Sequence, residues 1–230
     1  MEMLQTAEFW IGLLKIIWIN IILSGDNAVV IAMAARTLPA HQQRTAVFWG
    51  SGAAVVLRIL LTVVAARLLA LPYLQIVGGA LLLWIGVQLL GEDDGNDGGE
   101  TKHHGSLMAA VRTILIADLI MSLDNVIAVA AAAQGSMTLL VLGLAISIPL
   151  VIFGSTLMIR LMERFPVIVV LGAALIGWVG GETIANDAAF TAFREGKEWI
   201  VYAAAALGAA VVVALGKLIQ GRSHRRREAA

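Results

Sequence analysis

Two short stretches of this chain carry the residues best suited to chemistry. Leu23-Ser24-Gly25-Asp26-Asn27 and Met121-Ser122-Leu123-Asp124-Asn125 each present a carboxylate followed by a carboxamide, and the two aspartates lie 98 positions apart. Six residues before each motif aspartate stands a further polar group, Asn20 in the first case and Asp118 in the second. Carboxylate, carboxamide, hydroxyl and carbonyl oxygens are hard donors that suit Mn²⁺, Mg²⁺ or Ca²⁺. Asp26, Asp118 and Asp124 together bring more charge than one monovalent ion needs. The chain has no cysteine, so thiolate ligands and the soft or structural metals that use them are disfavoured. The candidate metal ligands are therefore Asn20, Asp26, Asn27, Asp118, Asp124 and Asn125, with Ser24, Ser122 and Arg58 as supporting groups.

These residues sit in a chain built for a bilayer. Apolar residues make up 60% of its 230 positions and charged residues 14%, against roughly 45–50% and 25% in soluble domains. Sixteen basic and sixteen acidic side chains cancel, which leaves no net charge to attract nucleic acid, and the mean hydropathy is +0.88. A helix needs about 20 mostly apolar residues to cross hydrocarbon. Seven stretches qualify, at roughly 9–35, 46–69, 72–91, 107–132, 137–159, 167–185 and 198–219. Glu2 and Glu8 precede the first, with no basic residue before it, so it is expected to be retained rather than cleaved as a signal peptide. With the N-terminus outside, ten Lys and Arg residues fall in cytoplasmic segments and three outside, the bias expected of that orientation. The tail Arg222-Ser223-His224-Arg225-Arg226-Arg227 then anchors the topology at anionic headgroups.

The motifs belong to a larger internal repeat. Residues 23–35 resemble 121–133, and 71–93 resemble 165–187. In the second pair Pro72 aligns with Pro166, Gly78 with Gly172, Trp84 with Trp178, Gly86 with Gly180 and Asp93 with Asp187. The expected fold is all-α and integral to the membrane, with seven transmembrane helices arranged as two three-helix repeats plus a C-terminal helix. Residues 1–91 form the first repeat, 92–106 an acidic cytoplasmic linker, 107–187 the second repeat, 188–220 the seventh helix and 221–230 a basic cytoplasmic tail. An odd-numbered unit repeated in tandem enters the membrane from opposite sides, the inverted-repeat plan of many secondary transporters.

Asp26 and Asp124 each fall roughly 14 Å from one membrane face, close to the middle of a core about 30 Å thick. An ionisable residue at that depth marks a functional site by default. On unbroken helices Asn20 aligns with Asn27 and Asp118 with Asn125, while the motif aspartates point about 100° away. Unwinding at Ser24-Gly25 and at Ser122-Leu123 would turn both aspartates into one cavity and free backbone carbonyls as ligands. The bland alternative is interhelical hydrogen bonding, with Arg58 neutralising Asp26 or Asp124. Arg58 itself has an apolar repeat counterpart, Val151, and reads either as a partner of a site aspartate when metal is absent or as a static counterion.

Leu23-Ser24-Gly25-Asp26-Asn27 and Asp118-x3-Ser122-Leu123-Asp124-Asn125 resemble the paired signatures of the TerC family of integral membrane proteins. The likeness covers nearly the whole chain and lies nearest the family's small members. It implies a seven-helix metal-ion transporter with manganese efflux as the leading activity. Many TerC relatives have glutamate where this chain has Asn20, so one implied carboxylate is missing here.

Three functions compete. The first is export of a divalent cation, most readily Mn²⁺, by alternating access between the repeats. The chain has no nucleotide-binding motif, so proton exchange is the expected driver. The second is an intramembrane aspartyl protease, which would carry Gly-x-Gly-Asp, whereas Leu123 stands where glycine is required before Asp124. The third is a non-transporting partner of another membrane machine. The reading adopted is the transporter, not an enzyme. It resides in the cell (inner) membrane, with the N-terminus outside and the C-terminus cytoplasmic, and has no cofactor apart from the transported ion. Its expected partners are the lipid bilayer and that ion, with no nucleic acid and with homo-oligomerisation left open. The 92–106 loop fails the EF-hand pattern at Gly95 and reads as a solvated linker, and Glu182 as an interfacial residue or part of an exit path.

Overall fold

The computed structural model describes residues 7–23, 25–68, 71–91, 106–133 and 136–228. Within them the chain forms nine α-helices, one short 3-10 helix and no strand. In chain order these are α1 (Ala7–Leu23), α2 (Gly25–Arg36), α3 (Ala40–Leu68), α4 (Leu74–Gly91), α5 (Leu107–Ala133), α6 (Met137–Arg164), α7 (Val167–Ala185), the 3-10 helix (Ala188–Phe190), α8 (Thr191–Arg194) and α9 (Trp199–Glu228). The linker residues 92–105 lie outside the described residues.

Five helices among the described residues hold a stretch long and apolar enough to cross a membrane: Ala40–Thr62, Leu74–Gly91, Thr138–Arg164, Val167–Ala185 and Trp199–Gly221. α1 contributes a shorter apolar stretch, Phe9–Ile19. α5 has 27 residues and so runs about 40 Å. Large apolar side chains point outward, with Leu14 64%, Phe153 70% and Trp199 66% exposed, while Arg58 and Asp118 are buried. Such an inside-out distribution suits lipid as the surrounding solvent.

Local chemistry fixes the helix ends. Ser106 and Ser136 cap α5 and α6, their hydroxyls accepting from the backbone N–H groups of Ala109 and Leu139. Pro39 and Pro166 precede α3 and α7, where a missing N–H costs no helical bond. At the other end of α4, Arg36 and Gln220 donate to the carbonyls of Leu89 and Leu90. Two terminal carbonyls that the helix cannot satisfy itself are thereby paired.

Close helix contacts recur between the halves. A Cβ added to Gly50 on α3 would stand 2.8 Å from Ile114 of α5, and one on Gly143 of α6 would collide with Ile16 of α1. Gly50 and Gly143 are 93 positions apart, and Ile16 and Ile114 are 98 apart. Likewise Gly86 of α4 faces Ile176 of α7 at 3.2 Å, while Gly180 of α7 faces Leu82 of α4 at 3.3 Å. Both members of this second exchange are offset by 94. Each half thus offers a glycine and an aliphatic side chain to the partner half in matching places. α9 lies against α4 and α7, with Gly177, Gly181 and Gly208 letting the α7 and α9 backbones meet.

Candidate cation site

α3 and α5 pack along one another and bring three polar side chains together in the interior. Arg58 of α3 donates from its terminal nitrogen to Asp118 Oδ1 at 2.6 Å and from Nε to Ser122 Oγ at 2.9 Å. The Ser122 hydroxyl in turn donates to Asp118 Oδ2 at 3.1 Å. All three residues are buried, Ser122 completely. Every member of the triangle is held by the other two, as a buried charge pair requires. Asp118 and Ser122 are four residues apart and so share a face of α5.

Asp26 and Asn27 open α2. The Asn27 backbone N–H donates to Asp26 Oδ1 at 2.8 Å, a stabilising contact for a carboxylate in a first helical turn. Asn27 is buried and Asp26 half-buried, and both Arg58 and Asp118 lie within electrostatic reach of Asp26. The first half's Asp-Asn motif therefore approaches a carboxylate from the second half. Asn125 is half-buried on α5. Ser24 and the side chains of Asn20 and Asp124 lie outside the described residues, as does the expected unwinding at Ser24. Among the described residues no three carboxylate or imidazole groups converge.

One expectation is corrected. α5 runs unbroken through Ser122-Leu123. No glycine interrupts it there, and the Ser122 hydroxyl bonds to Asp118 and so does not draw on the helix ladder. Arg58 pairs with Asp118, and the expected pairing with Asp124 falls on a side chain outside the described residues. Asp118 shares the level of Arg58 on the helix that α3 packs against.

Two polar features carry no sequence signal of their own. Ser51 stands seven residues before Arg58 on the same face of α3, buried and with its hydroxyl unpartnered among the described residues. A cavity of about 60 Å³ between α2, α4 and α5 is partly lined by Thr37, Gln88 and Thr113.

Asp187 does a different job. Its fully buried carboxylate accepts from the backbone N–H groups of Tyr73, Gln75, Ile76 and Ala189 at 2.8–3.3 Å. It caps both α4 and the 3-10 helix, and it holds Tyr73 in the left-handed region at φ 70°. Burial by itself would raise its carboxyl, but the donated N–H bonds outweigh burial and hold it below the ordinary 3.8. An Asp in a repeat position hints at nothing of the kind, although Asp ahead of Ala188–Phe190 is a recognisable cap. Because the folded value is depressed, the stabilisation is fully present above the unfolded value and lost as pH falls through the folded one. Asp187→Ala is expected to lower stability by about 2 kcal/mol at neutral pH, and this gap should narrow below pH about 4. Thermal unfolding of both proteins across pH would show a constant gap if Asp187 is not the cause.

Residues 5–228 match the family described as integral membrane protein TerC. The chain belongs to the TerC family. The resemblance carried by the two Asp-Asn motifs is thereby borne out, and the protein is an integral, multi-pass membrane protein. This TerC chain is 47% identical to the uncharacterized membrane protein YjbE of Bacillus subtilis over 186 residues, 81% of the chain and 84% of YjbE. It is 26% identical over 208 residues to the UPF0053 inner membrane protein YoaE of Escherichia coli K12, of which it spans 40%. The uncharacterized membrane protein YkoY of B. subtilis is 26% identical over 201 residues, 78% of the chain and 61% of YkoY. No solved structure matches.

Proposed function

We propose that this TerC protein is a transporter, not an enzyme, that exports a divalent cation, foremost Mn²⁺, by alternating access with proton exchange. The observation that carries the reading is the approach of Asp26, from the first half, to the buried Arg58–Asp118–Ser122 cluster that spans α3 and α5. Intramembrane carboxylates contributed by two halves are the arrangement expected of a cation path. The reciprocal Gly50–Ile114 and Gly143–Ile16 contacts, with those of Gly86–Ile176 and Gly180–Leu82, support two related halves. On this reading seven spans form two inverted three-helix repeats and a seventh helix in the cell (inner) membrane, N-terminus outside, and YoaE's description as an inner membrane protein agrees with that placement. Asp26, Asn27, Asp118, Asp124 and Asn125 ligate the ion, with Asn20, Ser24 and Ser122 beside them.

Purified protein in liposomes should carry Mn²⁺ well above the rate of empty vesicles. It should favour Mn²⁺ over Zn²⁺ more than the intrinsic order of metal affinities predicts, because oxygen donors and geometry select. Faster Zn²⁺ than Mn²⁺ flux would overturn the hard-cation site, and no flux of any divalent ion would overturn transport.

A further inference from the structure

We propose that Arg58 is a resident cation that competes with the transported ion for Asp118 and thereby sets the affinity of the site and its preference for divalent over monovalent cations. The proposal rests on the cation-transport reading above. Its ground is geometric. The guanidinium holds Asp118 Oδ1 directly and, through Ser122, the hydroxyl bonded to Oδ2, so both oxygens of this carboxylate are engaged. A metal ion that ligates Asp118 meets the guanidinium's positive charge at the same carboxylate, and like charges at such a distance in a low-dielectric interior repel strongly, so Arg58 must give way. Arg58 is 4% exposed and its charge is permanent, so it cannot yield by losing a proton and must move.

The device belongs to one half only. The repeat counterpart of Arg58 is Val151, on α6, which is half-buried and apolar, and the counterpart of Asp118 is Asn20, with no charge to hold. Arginine and aspartate are thus introduced together in one half and absent together from the other. A pair whose sole duty was to join helices would be needed equally at the corresponding α6 contact, which is made with α1 and α2.

Competition between unlike charges produces selectivity. A monovalent ion that displaces Arg58 exchanges one positive charge for another and forfeits a two-point hydrogen-bonded fork. A divalent ion adds a net charge in the same exchange and draws on Asp26 as well. The site thus rejects Na⁺ and K⁺ without any size filter, and it binds its divalent ion loosely enough to release it.

The test is Mn²⁺ binding to the full-length protein in nanodiscs, followed by titration calorimetry, with and without excess Na⁺. Arg58→Met keeps the bulk of the side chain and removes its charge. It is expected to tighten Mn²⁺ binding at least about tenfold, equivalent to about 1.4 kcal/mol, to slow Mn²⁺ release, and to let Na⁺ compete where it does not in the unaltered protein. Arg58→Lys keeps the charge without the fork and should fall between the two, which keeps the test decisive should Arg58→Met fail to fold. Unchanged or weaker binding in a folded Arg58 variant overturns the competitor role while leaving the transport reading intact. Failure of the unaltered protein to bind Mn²⁺, Mg²⁺ or Ca²⁺ overturns both.

Discussion

Asp26→Asn is expected to reduce Mn²⁺ flux in proteoliposomes to the level of empty vesicles, with the protein still folded in the membrane. Asparagine retains the size of the side chain and an oxygen that can accept from the Asn27 N–H, the contact that Asp26 makes at the start of α2. What it removes is the charge that, on the proposed function, binds the ion, together with the ability to carry a proton back. Exporting a divalent cation against an inside-negative potential costs about 4.6 kcal/mol per 100 mV, and the chain carries no nucleotide-binding motif that would supply this from ATP. On the proposed function, carboxylates that exchange metal for protons would supply the coupling in its place. Asp124→Asn is expected to have the same outcome as Asp26→Asn. Vesicles with a set pH gradient, loaded with a pH dye, report metal and proton movement together. Full and pH-independent transport by either variant would rule out the proposed mechanism.

The elements were largely legible because apolar length and repeat offsets are properties of the chain alone. Asp26, Asp118 and Arg58 stand out in sequence for the same reason: charges within apolar stretches have no cheap explanation. The pairing of Arg58 with Asp118 was not legible. Spacing along one helix fixes a face, but the level at which α3 meets α5 is set by the packing of Gly50 against Ile114, which no local pattern reveals. The break expected at Ser122 failed for a related reason. Serine within an apolar helix loosens the ladder or serves a side-chain partner; Asp118 lies one turn away on the same face, but only the third dimension supplies Arg58 as the second partner. The hold of Asp187 on α4 was not legible, because the Tyr73, Gln75 and Ile76 N–H groups it accepts from lie more than a hundred residues earlier.

Analogy between the repeats would make Asp118→Asn mild, since Asn20 already occupies the equivalent place in the first half. The structure argues the opposite. Arg58 has no counterpart opposite Asn20, and removing the Asp118 charge takes a directly bonded carboxylate from a guanidinium that is only 4% exposed. Breaking one side of a buried pair in this way costs about 3–5 kcal/mol, whereas replacing both partners with uncharged groups of similar volume is often neutral. Asp118→Asn is therefore expected to lower the thermal stability of the purified protein sharply, and Arg58→Met combined with Asp118→Asn to recover most of the loss. Arg58→Met alone leaves Asp118 with the Ser122 hydroxyl and is the milder single change. Unfolding of the four proteins under one detergent condition gives the coupling directly, with an interaction free energy of at least about 1 kcal/mol expected for residues in contact. A double variant no more stable than Asp118→Asn would show that Arg58 is not what the carboxylate holds in check, and the asymmetry between the two halves would then need a different cause.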